Sequence, residues 1–283
     1  MVANPAIDEL SGLVQSAAHP GVLWANNDSG DSARVFALST DGADLGTVIV
    51  GGAAATDWED LALGPGPGGV DHLYVGDTGG AGTAGNARPT VTVYRFPEPA
   101  PPGPGAAATV TAQAVTLQYP DGAHDAEALL LDARSGDLVI VTKVTSSAVA
   151  GVYRAPKAST APAGSTVALE RVGDLGGSGR PGLAQRLAEL AGLGELANSV
   201  TAGDANAHAG VALIRTYSGV NAYKWSKTQA LADALLRTAC RAPAPTDPRF
   251  PQGEAVALAA NGKDYITASE GIGAPLVQFR ARK

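Results

Sequence analysis

The sequence predicts an all-β chain closed into a five-bladed β-propeller with two helical insertions. Three observations lead there: one order of short strands that recurs five times, aromatic residues at near-regular spacing, and an abundance of turn residues. A six-bladed ring is the alternative if unit boundaries are drawn differently. A β-sandwich or barrel is the plainer rival, because all half-buried strands alternate. The recurrence of the same element order favours the propeller.

Each unit opens with a short apolar strand led by a small or acidic residue. The openers are Ser11-Gly12-Leu13-Val14, Glu59-Asp60-Leu61-Ala62-Leu63, Glu127-Ala128-Leu129-Leu130, Val200-Thr201-Ala202-Gly203-Asp204 and Glu254-Ala255-Val256-Ala257-Leu258. A second strand follows at residues 22–30, 72–80, 137–143, 211–219 and 264–271, ending on a polar residue: Asp28, Asp77, Lys143, Arg215 or Glu270. A third strand brings an aromatic. Phe36, Tyr94, Tyr153, Tyr223 and Phe279 are 58, 59, 70 and 56 residues apart. Fourth, outer strands are readable at 46–52, 110–118 and 166–172. Turns such as Thr40-Asp41-Gly42, Ser135-Gly136 and Asn261-Gly262 join them as hairpins.

Two segments have helical spacing. Residues 181–197 place Leu183, Leu187 and Leu190 on one face behind Pro181, and residues 226–240 start at the candidate N-cap Ser226. Both fit rim decorations on a single domain spanning 1–283, and a lid or partner contact is the functional alternative. The Pro-rich stretches 97–105 and 241–253 read as loops.

The composition agrees. Gly 36 and Pro 19 among 283 residues supply many turns, and 45% hydrophobic residues support a core. The single cysteine, Cys240, argues against a disulfide scaffold, a zinc ribbon or an iron–sulfur cluster. A net charge of -7 argues against a nucleic-acid partner, which needs clustered positive charge. No apolar run is long enough for a transmembrane helix. The start has neither a basic nor an apolar signal region. Two readings fit: a cytoplasmic protein, or an exported one whose signal has been removed.

Several pieces resemble a group of exported actinobacterial β-propellers of the WD40/TolB-like kind. They are residues 11–30, DWEDLALGP (57–65), LYVGDTGG (73–80), YPDGAHDAEAL (119–129), VTKV (141–144), VTAGD (200–204), ALIRTYSG (212–219), GEAVA (253–257) and SEG (269–271). The resemblance spans nearly the whole chain and implies a secreted or cell-envelope location. It carries over no residue-level activity.

A propeller brings the first strand of every blade to the central channel. Ser11, Glu59, Glu127, Thr201 and Glu254 hold equivalent places and should meet in one ring, although 48, 68, 74 and 53 residues separate them. Three carboxylates so placed repel and need a cation, a basic partner or a proton. Three outcomes compete. Glu59, Glu127 and Glu254 hold a hard cation, best Ca²⁺, with help from Asp57, Asp60, Asp125 and Asp204. Or they form a catalytic pair of carboxylates. Or each accepts backbone N–H bonds from the next blade and only closes the ring.

Around that ring, Lys143 and Arg215 are candidates to stabilise an anionic centre, and His124 is a candidate acid/base. Asp28, Asp77 and Glu270 would line the mouth, and Trp58 could stack on a sugar. Inter-blade salt bridges and core packing are the plain alternatives. Residues 26–31 resemble a calcium loop only loosely, since the twelfth position is Ala37. No phosphate loop, dinucleotide fingerprint, nucleophile elbow or HExxH is present. The expected function is a calcium-assisted hydrolase or lyase acting on a polar small molecule or carbohydrate. The alternative is a non-catalytic propeller that binds a ligand or protein and keeps a structural carboxylate ring.

Overall fold

The computed structural model describes residues 1–80, 87–144, 149–177, 198–245 and 252–281. Among the described residues twenty-one strands form five sheets, the five blades of a β-propeller. Blade 1 contains β1 (Leu10–Gln15), β2 (Val22–Asn27), β3 (Arg34–Ser39) and β4 (Asp44–Gly51). Blade 2 contains β5 (Trp58–Pro65), β6 (Asp71–Asp77), β7 (Thr90–Pro97) and β9 (Gln113–Gln118). Blade 3 contains β10 (Ala126–Asp132), β11 (Asp137–Thr142), β12 (Gly151–Ala155) and β14 (Glu170–Asp174). Blade 4 contains β15 (Val200–Asn206), β16 (Val211–Thr216), β17 (Gly219–Lys224) and β18 (Cys240–Ala242). Blade 5 contains β19 (Gly253–Leu258), β20 (Tyr265–Ser269) and β21 (Leu276–Phe279).

The innermost strands β1, β5, β10, β15 and β19 each contact the next, and β19 returns to β1, so the ring is closed. The N-terminal segment seals that last joint. Val2 N–H donates to Ala274 O at 2.9 Å and Gly271 N–H to Asp8 O at 3.0 Å. Val2 and Ile7 are buried with Leu13 of blade 1 and Ala257 and Ile266 of blade 5. Between blades the cores are apolar: Trp24, Trp58 and Phe96 fill one joint, and Leu129, Ile140 and Tyr153 help fill the next.

Two expected outer strands are each split in two. β8 (Ala107–Thr111) pairs in parallel with β4 of blade 1 before the chain crosses at Ala112 into β9. β13 (Thr166–Ala168) pairs in parallel with β9 of blade 2, and the chain crosses at the buried Leu169 into β14. Blades 2 and 3 thereby each add a fifth, outermost strand to the blade before them.

The helix expected over 226–240 is reduced to α1 (Leu231–Leu235). The chain on either side is committed elsewhere. Arg134 donates to Ser226 O and Gln229 O, both at 2.9 Å, and Asp132 Oδ2 accepts the Leu231 N–H at 3.0 Å. Downstream, Cys240–Ala242 must extend to pair with β17. The helix expected over 181–197 lies outside the described residues. No described helix is long and apolar enough to cross a membrane.

Candidate functional site

Each inner strand carries a pairing irregularity near its N-terminal end. The register slips between Leu10 and Leu13, Trp58 and Leu61, Ala126 and Ala128, Val200 and Ala202, and Gly253 and Ala255. Those slips bracket Ser11, Glu59, Glu127, Thr201 and Glu254. A bulge leaves a residue out of the ladder and re-aims its side chain, which is common beside functional sites. All five residues are buried.

Two further tiers surround this ring. Two residues before each ring position stand Glu9, Asp57, Asp125, Ser199 and Gln252, every one polar. On the second strands, the ladder aligns Asn27, Asp77, Thr142, Thr216 and Ser269, so the residues that follow them are equivalent: Asp28, Thr78, Lys143, Tyr217 and Glu270. Asp28, Lys143 and Glu270 thus share a tier as expected. Asp77 and Arg215 do not, since they stand one and two residues too early.

The three tiers bring carboxylates together in two groups. Oxygens of Asp28, Asp57 and Glu59 lie within 4.8 Å of one another, and so do oxygens of Glu59, Asp125 and Glu127. Glu59 belongs to both. Its Oε2 is buried and has no hydrogen-bond partner, and Asp125 Oδ1 is in the same condition. Lys143 is the cation within this group: its Nζ donates to Glu127 Oε1 at 2.6 Å, and its backbone N–H donates to Asp125 O.

The electrostatics follow from burial and crowding. Burial, then Glu127 and Asp28, raise the Glu59 carboxyl well above its ordinary value. Burial pushes Asp57 up to about 7, aided by Asp28 and Asp125. Burial takes Glu127 to about 7 against the pull of Lys143. Asp28 is also raised, mainly by burial. Lys143 is held charged: burial opposes its charge, but Glu127 more than compensates. Such a set accepts protons or a hard cation near neutral pH.

Glycine is required beside these groups. A Cβ on Gly79 would stand 2.1 Å from Glu59 Oε1 and 2.5 Å from Asp57 Oδ2. The turn carrying Gly79 is fixed by its neighbours. Thr78 Oγ1 donates to Ala126 O at 2.8 Å, and Arg88 Nε donates to Gly79 O at 2.7 Å.

The backbone-clamping role falls to two aspartates rather than to the ring glutamates. Asp60 Oδ2 accepts the N–H groups of Leu129 at 3.0 Å and Gly203 at 2.8 Å, tying blade 2 to blades 3 and 4. Asp204 Oδ2 accepts the Leu258 N–H at 2.7 Å, tying blade 4 to blade 5. The four aspartates grouped from sequence as helpers therefore divide: Asp57 and Asp125 join the carboxylate groups, and Asp60 and Asp204 hold the channel wall.

The other candidates are placed apart. Glu254 belongs to neither carboxylate trio. Burial and its neighbours Glu270 and Glu127 raise it to about 9. Arg215 is 1% exposed and packed so closely on Gly253 that a Cβ there would meet its guanidinium, so it cannot touch a ligand at the mouth. Trp58 is 2% exposed, with Nε1 donating to Ala54 O, so it has no face for stacking on a sugar. Asp77 accepts from Thr56 N–H, Asp57 N–H and Arg88, which makes it a brace for the Asp57 segment. The His124 ring is turned to Asp121 (Nε2 to Oδ1, 2.9 Å) and Tyr153 (3.0 Å). The turn at 26–31 is a polar cap: Asn27 Nδ2 donates to Ala6 O, Asp8 and Asp31.

Asp57 and Asp125 are the residues that sequence reasoning underweighted. Their signal is a repeated Asp-x-Glu, at Asp57-Trp58-Glu59 and Asp125-Ala126-Glu127.

No family model matches the chain, and no curated protein matches it. Among solved structures, one from Bacteroides uniformis ATCC 8492, described as a "putative 6-phosphogluconolactonase", is similar at 15% identity and a TM-score of 0.43. The match covers 99% of this chain and 68% of that one, and it says nothing about what this chain binds. The chain folds as a five-bladed β-propeller with clustered carboxylates at its mouth.

Proposed function

We propose that the acidic mouth holds a hard divalent cation, Ca²⁺ by its all-oxygen donor set, and uses it to hydrolyse, or cleave by lyase chemistry, a polar small molecule or carbohydrate. The observation that carries this reading is Glu59: a buried carboxylate with one oxygen unpartnered, set between carboxylates on both sides. A bound cation would polarise a substrate oxygen or a water. Asp28, Asp57, Glu59, Asp125 and Glu127 are the ligands available to it, and Lys143 holds Glu127 in place. Asp57 and Glu127, raised to about 7, suit proton transfer near neutrality when not ligated. The resemblance to exported propellers supports an extracytoplasmic setting, where calcium is plentiful enough for a weak site.

One observation favours the second reading, a binding propeller without catalysis. His124, Trp58 and Arg215 are all engaged or buried, which leaves carboxylates, Lys143 and Tyr217 as the functional groups at the mouth among the described residues. A panel of chromogenic esters, glycosides and phosphoesters, assayed with calcium and with chelator, tests the proposal. Cleavage that needs calcium and is lost in Glu59→Gln supports the enzyme. Calcium binding without cleavage of any panel member supports the binder.

A further inference from the structure

We propose that the mouth holds two divalent cations, bridged by the carboxylate of Glu59. This rests on the cation reading above and goes beyond it in number and arrangement.

The carboxylates fall into two trios that share no member except Glu59. Asp28 comes from the end of a blade 1 strand and Asp57 from the entry to blade 2, whereas Asp125 and Glu127 both belong to blade 3. The two oxygens of Glu59 are in different surroundings. Oε1 lies with Asp57 Oδ2 against Gly79, on the side of the first trio. Oε2 is buried without a hydrogen-bond partner and is free to take a second ligand. A carboxylate that gives one oxygen to each of two cations is a common bridge in two-metal sites.

The charge count points the same way. Five carboxylates meet here, and Lys143 is paired with one of them. With all five ionised, one dication plus Lys143 leaves two negative charges to be met by protons or by a second dication. An uncompensated buried charge is costly, so the second cation relieves what the first cannot.

The test loads the full chain with Ca²⁺ for calorimetric and elemental stoichiometry, and with Mn²⁺ for electron paramagnetic resonance. The variants are Asp28→Asn and Asp125→Asn, both near-isosteric changes at half-buried positions. The wild type should bind two equivalents of either ion, and paired Mn²⁺ should give an exchange-coupled spectrum. Each variant should bind one equivalent and show an isolated Mn²⁺ signal. One equivalent in the wild type overturns the two-cation proposal and leaves the single-cation reading standing. No binding overturns both. Two equivalents retained in both variants overturn the assignment of the trios.

Discussion

Lys143 Nζ donates to Glu127 Oε1 at 2.6 Å, which places the ammonium against the second carboxylate trio and makes it the built-in competitor of a cation there. The same lysine binds blade 3 through its backbone N–H to Asp125 O. Its side chain therefore offsets charge when no metal is present, at the expense of metal affinity.

Lys143→Met should separate those effects. In chelator the variant loses the partner of a buried carboxylate and should be less stable by about 2 kcal/mol, below the range for fully buried pairs because Lys143 is partly exposed. Its calcium affinity should rise about fivefold, from a removed repulsion of roughly 1 kcal/mol. Urea melts in chelator and calcium titration check the two halves.

Stability should fall with rising pH when metal is absent. In the folded chain Asp57, Glu127 and Asp204 sit at about 7 and Glu254 at about 9, mainly through burial. The same groups lie near 4 when unfolded. The folded state therefore holds more protons across this interval. The stabilising contribution is full below pH ~4 and is lost as pH rises through ~7 and on towards ~9. Calcium at the proposed site would bind the ionised carboxylates and should flatten or reverse the slope. Melts across pH 5–9 with chelator and with calcium measure this, and a flat profile in chelator would count against the buried-carboxylate account.

Asp60→Asn should damage the fold, unlike a change at the proposed metal ligands. Asp60 serves three N–H groups, those of Leu61, Leu129 and Gly203. An amide NH₂ in place of Oδ2 would face two donors. A cost of about 2–4 kcal/mol follows, a fall of roughly 5–10 °C in Tm. Thermal unfolding in chelator and in saturating calcium should show the same loss.

Gly79→Ala should do the reverse. The methyl group would stand 2.1 Å from Glu59 Oε1, so that carboxylate must move. Calcium affinity should fall at least tenfold, with a smaller stability loss than at Asp60. Side-by-side titration and melting of the two variants measure the contrast.

The blades were legible because inner strands repeat an opener and third strands repeat an aromatic. Outer strands were less so: residues 110–118 and 166–172 read as single strands, and only the ladder shows them shared between neighbours. A crossing at Ala112 or Leu169 leaves no mark in local hydrophobic pattern. The ring glutamates could be read from repeat equivalence. Their partners depend on register. Arg215 differs from the mouth-facing Tyr217 by two residues, and counting along an unaligned strand cannot see that offset. Asp57 and Asp60 also divide, since Asp57 lies ahead of β5 with the mouth group and Asp60 lies within β5 and bonds the channel wall.

The proposed cation site at the propeller mouth depends on Glu59. Isothermal titration of chelator-stripped protein with Ca²⁺, run beside Glu59→Gln, tests it most directly. The wild type should bind saturably, with protons released near pH 7, and a folded Glu59→Gln variant should lose that binding. Equal binding by both proteins, or no binding by the wild type, would contradict it.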